Sequence, residues 1–489
     1  MVDILHFESF MVAAPNQNLA VTKPAWSKLF EQPAEPFALT NLDVLAGSVP
    51  KNLRGTLFRN GPGQLTRGDD RMGHWFDGDG VILGVYFTDE GVKAQYRYVE
   101  TQYFQEESAA DKLLYPNYGT VAPGKVWQRW GKPAKNSANT SVLPLGDRLL
   151  ALWEGGKPHA LDVATLETLG EETLGLAKND TFSAHHKIDP VTGEIYNFGT
   201  VFGKDATFQV YKFDNQAKLL KRGQFTVKGL PLTHDFVLAG DYLIFSICPV
   251  RLQPFPALFG LKSVSDCLQW QPELGTEIII LNRHTLEIVS CSKNDPWFQW
   301  HFTNGFVNEY DEIELEMVRF NDFASNQQFV EIPRGSIQTY TKGTLWHYRI
   351  DPKTAKILDS FQVGDRSCEF PITLDSQTGQ HWDKTFIGIH RDESDIGHEL
   401  INGIACVDQK TKEYTVADLG AGHYPSEPIP VQNPDNPKQT WILTVVFNAP
   451  ANRSELRIYD GDRLSDKPIC ILALPKIIPP SFHGKWQPA

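Results

Sequence analysis

The chain has no surplus of positive charge: 46 Lys and Arg stand against 59 Asp and Glu, a net charge of −13, and no basic cluster breaks the pattern. Nucleic acid is therefore a poor partner, and bulk charge would not draw the chain to an anionic membrane. Any run near ~20 uninterrupted apolar residues is also missing, so no segment is expected to span a bilayer. The six cysteines, at 248, 267, 291, 368, 406 and 470, include no CxxC pair. That spacing excludes a thiolate zinc site and fits reduced residues of an intracellular protein better than a disulfide framework. The opening MVDILHFESFMVAAP carries Asp3 and Glu8 where a secretory signal would be positive, so none is expected. What is present suffices for a large core: 489 residues, 41% of them hydrophobic.

One pattern recurs along that length: an apolar strand, a turn opened by Asp or Asn, and another strand. It is centred on Asp89, Asp162, Asp189, Asp214, Asn282, Asp351, Asp408 and Asp460. Asp and Asn open such turns by bonding their own backbone, while Gly supplies positive φ. A second echo pairs GDRLLAL at 146–152 with GDYLIFS at 240–246. Hairpins repeated over a whole chain predict an all-β propeller before a sandwich or barrel. With seven blades each would take about 70 residues, well above the ~40–45 of a compact blade. The surplus is expected in long loops and short helices forming a dome over one face. Residues 1–40, irregular and proline-marked, are expected to wrap the outside of a single propeller domain at 41–489.

Of 14 histidines, four lie in apolar or turn-like frames: His185 in FSAHHKID, His234 in PLTHDFVL, His301 in FQWHFTNGF and His483 in PPSFHGKW. The others lie mostly near charged or turn residues, except His186, which spacing alone cannot separate from His185. The four are 49, 67 and 182 residues apart (185 to 234, 234 to 301, 301 to 483), which excludes a local motif such as HExxH. Three glutamates lie in similarly buried-looking frames: Glu154 in LLALWEGG, Glu369 in SCEFPI and Glu427 in YPSEPIP. Imidazoles gathered from distant segments suit a borderline transition metal, and carboxylates behind them fix the ring tautomer. A propeller axis is where such distant segments meet.

These segments resemble the carotenoid cleavage oxygenase family. The resemblance runs from about residue 40 to the C-terminus and is carried by LRGTLFRNGPG at 53–63, HWFDGDGVI at 74–82 and ANT at 138–140. It continues through LLALWEGGKPH at 149–159, SAH at 183–185, THDF at 233–236 and HGKW at 483–486. Within the family the chain is most similar to the cyanobacterial apocarotenoid oxygenases. The resemblance implies a seven-bladed propeller with iron(II) on its axis under His185, His234, His301 and His483, which selects His185 over His186. It implies Glu154, Glu369 and Glu427 behind His234, His301 and His483 in that order, and His185 held without a carboxylate. Trp300–His301–Phe302 stands where relatives often have Phe–His–His, a change that bears on the pocket wall.

The activity so implied is dioxygenase cleavage of one apocarotenoid C=C bond by O2, at the 15,15′ position, giving retinal-type aldehydes. Thr140 matches a position whose methyl crowds one open coordination site. The alternatives are another double bond, a full-length carotenoid or stilbene, or a non-catalytic propeller that carries carotenoids. A polyene offers little to hydrogen-bond, so an apolar tunnel must select the bond, with Trp153, Phe76 and Phe370 as candidate walls. The stretch IFSICPVRLQPFPALFGL, 244–261, is apolar and proline-broken, and Pro254 and Pro256 argue against a central strand. It is expected to be a surface loop dipping into one leaflet. The picture is of a cytoplasmic monomer bound peripherally to a membrane.

Overall fold

In the computed structural model, which describes residues 23–489, the Asp-opened turns fall at one place in every blade. Seven antiparallel sheets form the propeller. Blade 2 shows the plan: Ser141–Leu145 is innermost, followed outward by Arg148–Leu152, His159–Asp162 and Thr168–Glu171. Blade 3 starts at Lys187–Ile188, blade 4 at Val237–Ala239, blade 5 at Phe302–Val307, blade 6 at Cys368–Ile372 and blade 7 at His423–Pro425. The hairpin between third and fourth strands begins at Asp89, Asp162, Asp214, Asn282, Asp351, Asp408 and Asp460 in blades 1 to 7. Asp189 opens the first hairpin of blade 3 instead.

The chemistry of these turns is nearly uniform. Asp162 Oδ1 accepts the N–H groups of Ala164 and Thr165, and Asn282 and Asp408 do the same two and three residues on. Asp89 is the exception, its carboxylate taking Arg54 Nε at 2.9 Å. Glycine is less common here than the turn chemistry predicts. Leu166, Leu286, Ala355 and Lys412 take φ of 56–60° four residues after the turn opens. Leu166, Leu286 and Ala355 are buried, so packing offsets the roughly 1–3 kcal/mol that left-handed φ costs a residue with a Cβ.

The ring is closed from both ends of the chain. Gly484–Pro488 is the innermost strand of blade 1, paired with Gly55–Gln64, and Phe37–Asn41 is its outer edge. Val44–Gly47 adds the outer edge of blade 7, on Cys470–Ala473. Of the first 40 residues, 1–22 lie outside those described, and so does the stretch read for a signal. Ala25–Phe30 forms a 3-10 turn with Trp26 buried, and Phe37 already belongs to a blade.

The surplus length lies in insertions at 99–140, 248–275, 320–343 and 390–402, which supply the helices Gln102–Ala110, Val126–Arg129, Pro254–Leu258 and Ala324–Glu331. A buried ionic cluster fastens the first of these helices to blade 1. Lys135 Nζ lies 2.6 Å from Asp79 Oδ1 and 2.7 Å from Glu107 Oε2, and Arg67 meets Asp79 at 2.9 Å. The two Asp of FDGDG are thus structural anchors, Asp79 to this cluster and Asp77 to Gly119 N and Thr120 Oγ1.

The 244–261 stretch is not one surface loop. Tyr242–Ile247 is a buried second strand of blade 4, because the prolines come after it and not within it. Val250–Leu252 pairs with Leu268–Trp270, and from Gln253 the chain reaches the surface. Phe255 and Leu258 are 72% and 70% exposed, and Phe259 and Leu261 are exposed beside them. Trp127 and Trp130 extend the patch, Trp130 Nε1 donating to Phe259 O at 3.0 Å. All six cysteines are free, and five are buried.

Buried amides join the blades where the sheet hydrogen bonds end. Asn60 Nδ2 donates to Ala138 O and Ser141 O, each at 2.9 Å, linking blade 1 to the entry of blade 2. Asn60→Ala leaves both carbonyls unpaired and is expected to cost about 1–3 kcal/mol, read as a lower denaturant midpoint. An unchanged midpoint would show that this link contributes nothing to holding the ring.

Candidate metal centre

Each of the seven blades presents one of the seven candidate residues. His185, His234 and His301 each fall one to three residues before the innermost strands of blades 3, 4 and 5, and His483 directly precedes the inner strand of blade 1. Glu369 lies on the inner strand of blade 6, Glu427 follows that of blade 7, and Glu154 follows the second strand of blade 2. Residues hundreds of positions apart thereby meet. One ring nitrogen from each histidine lies within 4.8 Å of all the others. His185 Nε2 and His234 Nε2 are 2.9 Å apart, and His234 Nε2 and His301 Nε2 are 3.1 Å apart.

The glutamates take the other face of the rings. Glu154 lies against His234 Nδ1. Glu369 Oε2 meets His301 Nδ1 at 2.5 Å, and Glu427 Oε1 meets His483 Nδ1 at 2.9 Å. With Nδ1 occupied, these rings turn Nε2 inward, the arrangement that a metal-binding histidine needs. His185 has no such bond; its nearest carboxylate is Asp235, with Oδ1 3.9 Å from Nδ1. His186 is not part of the cluster.

Burial holds His185 and His301 well below the ordinary histidine range, and the neighbouring imidazoles add to this. They are neutral donors at physiological pH, the form a cation accepts. Burial also lowers His234, but the Glu154 carboxylate outweighs it, so the net shift is upward. Glu427 is pulled the other way: burial raises it, and His483 and Arg59 bring it below the usual carboxylate value. Burial pushes Glu369 up to about 8. This donor set fits a transition-metal cation: four imidazole nitrogens turned to one point, two of the rings held neutral by burial, with acidic side chains behind three of them.

The cluster opens onto a cavity of about 510 Å³ beneath the insertions, in the range of small-molecule sites. Phe76, Trp153, Phe370 and Thr140 all line it. Phe370 lies over His301 with centroids 5.4 Å apart, and at the same separation edge-on to His483. Trp300 is a further wall, its ring 5.1 Å from His234 and its Nε1 bonded to Ser325 Oγ. Phe302 packs into the core between blades instead.

Sequence reasoning missed the residues that hold the ligand segments in place. Arg59 is fully buried and donates to Ser481 Oγ, Phe482 O and Glu427 O, pinning both the approach to His483 and its glutamate. Its only sequence signal is a lone arginine inside the apolar strand LFRNG. Asn197 brackets Ser183 from both sides, donating to its carbonyl and accepting from its N–H at 2.9 Å, two residues before His185. Asn304, which the family resemblance marks as the Asn three residues after His301 without giving it a role, donates to Gln377 O and Gln380 O and accepts from Gly379 N. Asp235, next to His234, gave no signal beyond that adjacency.

Comparison with known proteins agrees with this architecture. The retinal pigment epithelial membrane protein family matches residues 30–488. The apocarotenoid-15,15′-oxygenase of Synechocystis is 33% identical over 458 residues, covering 91% of this chain and 92% of that protein. Isoeugenol monooxygenase of Pseudomonas nitroreducens is 27% identical, covering 90% and 93%. The crystal structure of the cobalt-substituted Synechocystis oxygenase superposes with a TM-score of 0.88 at 31% identity, over 95% of this chain and 98% of that one. On these matches the chain belongs to the retinal pigment epithelial membrane protein family of carotenoid cleavage oxygenases and is an enzyme of that family.

Proposed function

We propose that the chain is a non-haem iron(II) dioxygenase that splits an apocarotenoid at its 15,15′ double bond into two carbonyl products, one of them a retinal-type aldehyde. The observation that carries this reading is the four-histidine cluster beside a largely apolar cavity, with His234, His301 and His483 in the cavity's lining. His185, His234, His301 and His483 would hold the iron, and bound iron(II) would supply the activation of O2. Held by these four side chains alone, the iron would keep room for O2. Thr140 lines the cavity and donates its hydroxyl to Asn139 Oδ1 at 3.1 Å; its methyl would crowd one approach to the iron. Glu154, Glu369 and Glu427 orient their imidazoles and offset charge without entering the coordination sphere.

The remaining work falls to shape. Phe76, Trp153, Trp300 and Phe370 give the polyene flat apolar walls on which to lie, so the shape of the cavity would set which bond is presented to the cluster. Incubation with a panel of carotenoids, apocarotenoids and stilbenes, followed by mass spectrometry of the products, tests this. Cleavage of apocarotenoids at 15,15′ is expected. Products from another bond, or from stilbenes alone, would replace the substrate assignment, and a protein without stoichiometric iron or turnover would be a carrier.

The exposed segment from Pro254 to Leu261, with Trp127 and Trp130, is read as the surface that meets a lipid leaflet and collects an insoluble substrate. Val264, just beyond it, lines the cavity. No helix of the described residues is long and apolar enough to cross a membrane, so this contact would be peripheral. A cytoplasmic monomer remains part of the proposal.

Three outcomes check the reading. His483→Ala should lose both iron and activity, since nothing beside it can replace the ligand; normal iron content in the purified variant removes His483 from the centre. Glu369→Gln and Glu427→Gln should weaken iron retention or activity by about 10–100-fold with the fold intact. Iron off-rates matching wild type in both would place these carboxylates outside the metal's influence. Changing Phe255, Leu258 and Phe259 together to Ser removes side chains contributing about 1.5–3 kcal/mol each on burial, so liposome partitioning should fall by several orders of magnitude. Activity on detergent-dispersed substrate should survive; equal liposome binding by wild type and variant would discard the leaflet contact.

A further inference from the structure

Asp235 is 1% exposed and touches three blades at once. Its Oδ1 takes Lys187 Nζ at 2.9 Å and the N–H of Phe236 at 2.8 Å. Its Oδ2 takes the N–H of Phe302 at 2.9 Å. Lys187 is two residues beyond His185, Asp235 follows His234 directly, and Phe302 follows His301 directly. One carboxylate therefore joins the segments of blades 3, 4 and 5 within two residues of three clustered histidines. These blades supply no glutamate to the rings, and His185 alone has no carboxylate bonded to its Nδ1.

We propose that Asp235 is a positioning residue of the metal centre, a clip that sets the mutual placement of His185, His234 and His301. The inference rests on the metal reading given above. The physical reason is rigidity. Hydrogen bonds within a blade fix each strand to its neighbours in the same sheet but not to the next blade. The inner ends of blades 3, 4 and 5 need a tie of their own to stay in register to a fraction of an ångström. A charged carboxylate receiving an ammonium and two amide N–H groups is a strong, directional tie, because bonds to an ionised group are shorter and about twice as strong as neutral ones. The Lys187 ammonium also balances the buried charge, and it lies 5.8 Å from the Phe236 ring centre, which keeps its stem in place.

The test uses Asp235→Asn, which keeps size but cannot accept from Lys187 and Phe302 together in the same geometry, and Lys187→Gln, which loosens blade 3 alone. Each full-length variant is made metal-free and loaded with Co(II). Three quantities are compared: Co(II) affinity by chelator competition, the visible absorption bands of the bound Co(II), and the thermal midpoint of the metal-free protein. Asp235→Asn should bind Co(II) about 10–100-fold more weakly, and Lys187→Gln about tenfold, with altered band positions or intensities. The metal-free midpoint should fall as well, because a buried ion pair is broken; the altered Co(II) bands are the change that a plain structural support would not produce. Affinity and bands equal to wild type in both variants would overturn the proposal. So would a lowered midpoint with an unchanged spectrum, which would make the residue a plain structural support. If Asp235→Asn does not fold, Lys187→Gln decides on the same criteria. A wild-type protein that takes up no Co(II) would instead overturn the metal reading beneath the inference.

Discussion

Four imidazole nitrogens within 4.8 Å of one another form an arrangement that only a shared cation or a chain of protons can satisfy, and the rest of the architecture serves it. Neutral imidazoles present lone pairs, and lone pairs directed at one point repel unless something positive lies there. Burial keeps two of these rings neutral, so protonation does not relieve the crowding. The propeller supplies the placement because its inner strands all begin around one axis. A sandwich or an open sheet would offer no point where residues 185, 234, 301 and 483 could meet.

Charge balance explains why the supporting residues come from elsewhere. The glutamates bonded to the rings belong to blades 2, 6 and 7, which contribute no histidine to the cluster. Glu369 and Glu427 reach rings on the neighbouring blades 5 and 1, and Glu154 reaches past blade 3 to blade 4, so every pair also joins two blades. Buried carboxylates need partners of their own. Arg59 stands 3.8 Å from Glu427 Oε2 and Lys187 bonds Asp235; Arg59 lies on the blade 1 strand paired with the one that follows His483, and Lys187 on the blade 3 strand that follows His185. Removing either cation would leave an anion buried next to imidazoles whose neutrality the site requires. Burial lowers Arg59 to about 10 even with Glu427 beside it, still far above physiological pH, so the guanidinium remains charged.

Much of this was legible in the sequence, for a physical reason. The Asp and Asn turns announce themselves because their chemistry is local: an acceptor bonds N–H groups two or three residues on, whatever the tertiary fold. Seven of the eight turns mark the same hairpin in seven blades. The histidines and glutamates were singled out by their frames and then ordered by family resemblance, not by spacing, since 49, 67 and 182 residues carry no geometric information across a tertiary site. Arg59, Asn197 and Asp235 were not legible because most of their partners lie on other segments, and Asn304 was marked only by its place three residues after His301, not by what it bonds. No sequence pattern records that an amide will meet Gln377 O 73 residues away. The 244–261 stretch misled because apolarity was read as one feature; Ile244–Ile247 is apolar as a core strand, and Phe255–Leu261 is apolar at the surface.

Blade 6 shows what the site asks of the backbone. Successive side chains of a strand point to opposite faces, so Glu369 and Phe370 cannot both serve the axis in regular β geometry. Phe370 instead takes φ of +57°, and the register with the neighbouring strand slips between Glu369 and Ile372. Left-handed φ on a bulky residue costs roughly 1–3 kcal/mol. What the kink achieves is specific: the Glu369 carboxylate meets His301 Nδ1 from behind while the Phe370 ring covers His301 and His483 from the cavity side. The N–H of Phe370 turns back to the same Glu369 oxygen, so one backbone conformation serves ring orientation, carboxylate placement and cavity wall together. Glycine in place of Phe370 would relieve the strain and lose the wall, and a strand without the kink would keep only one of the two side chains facing the axis.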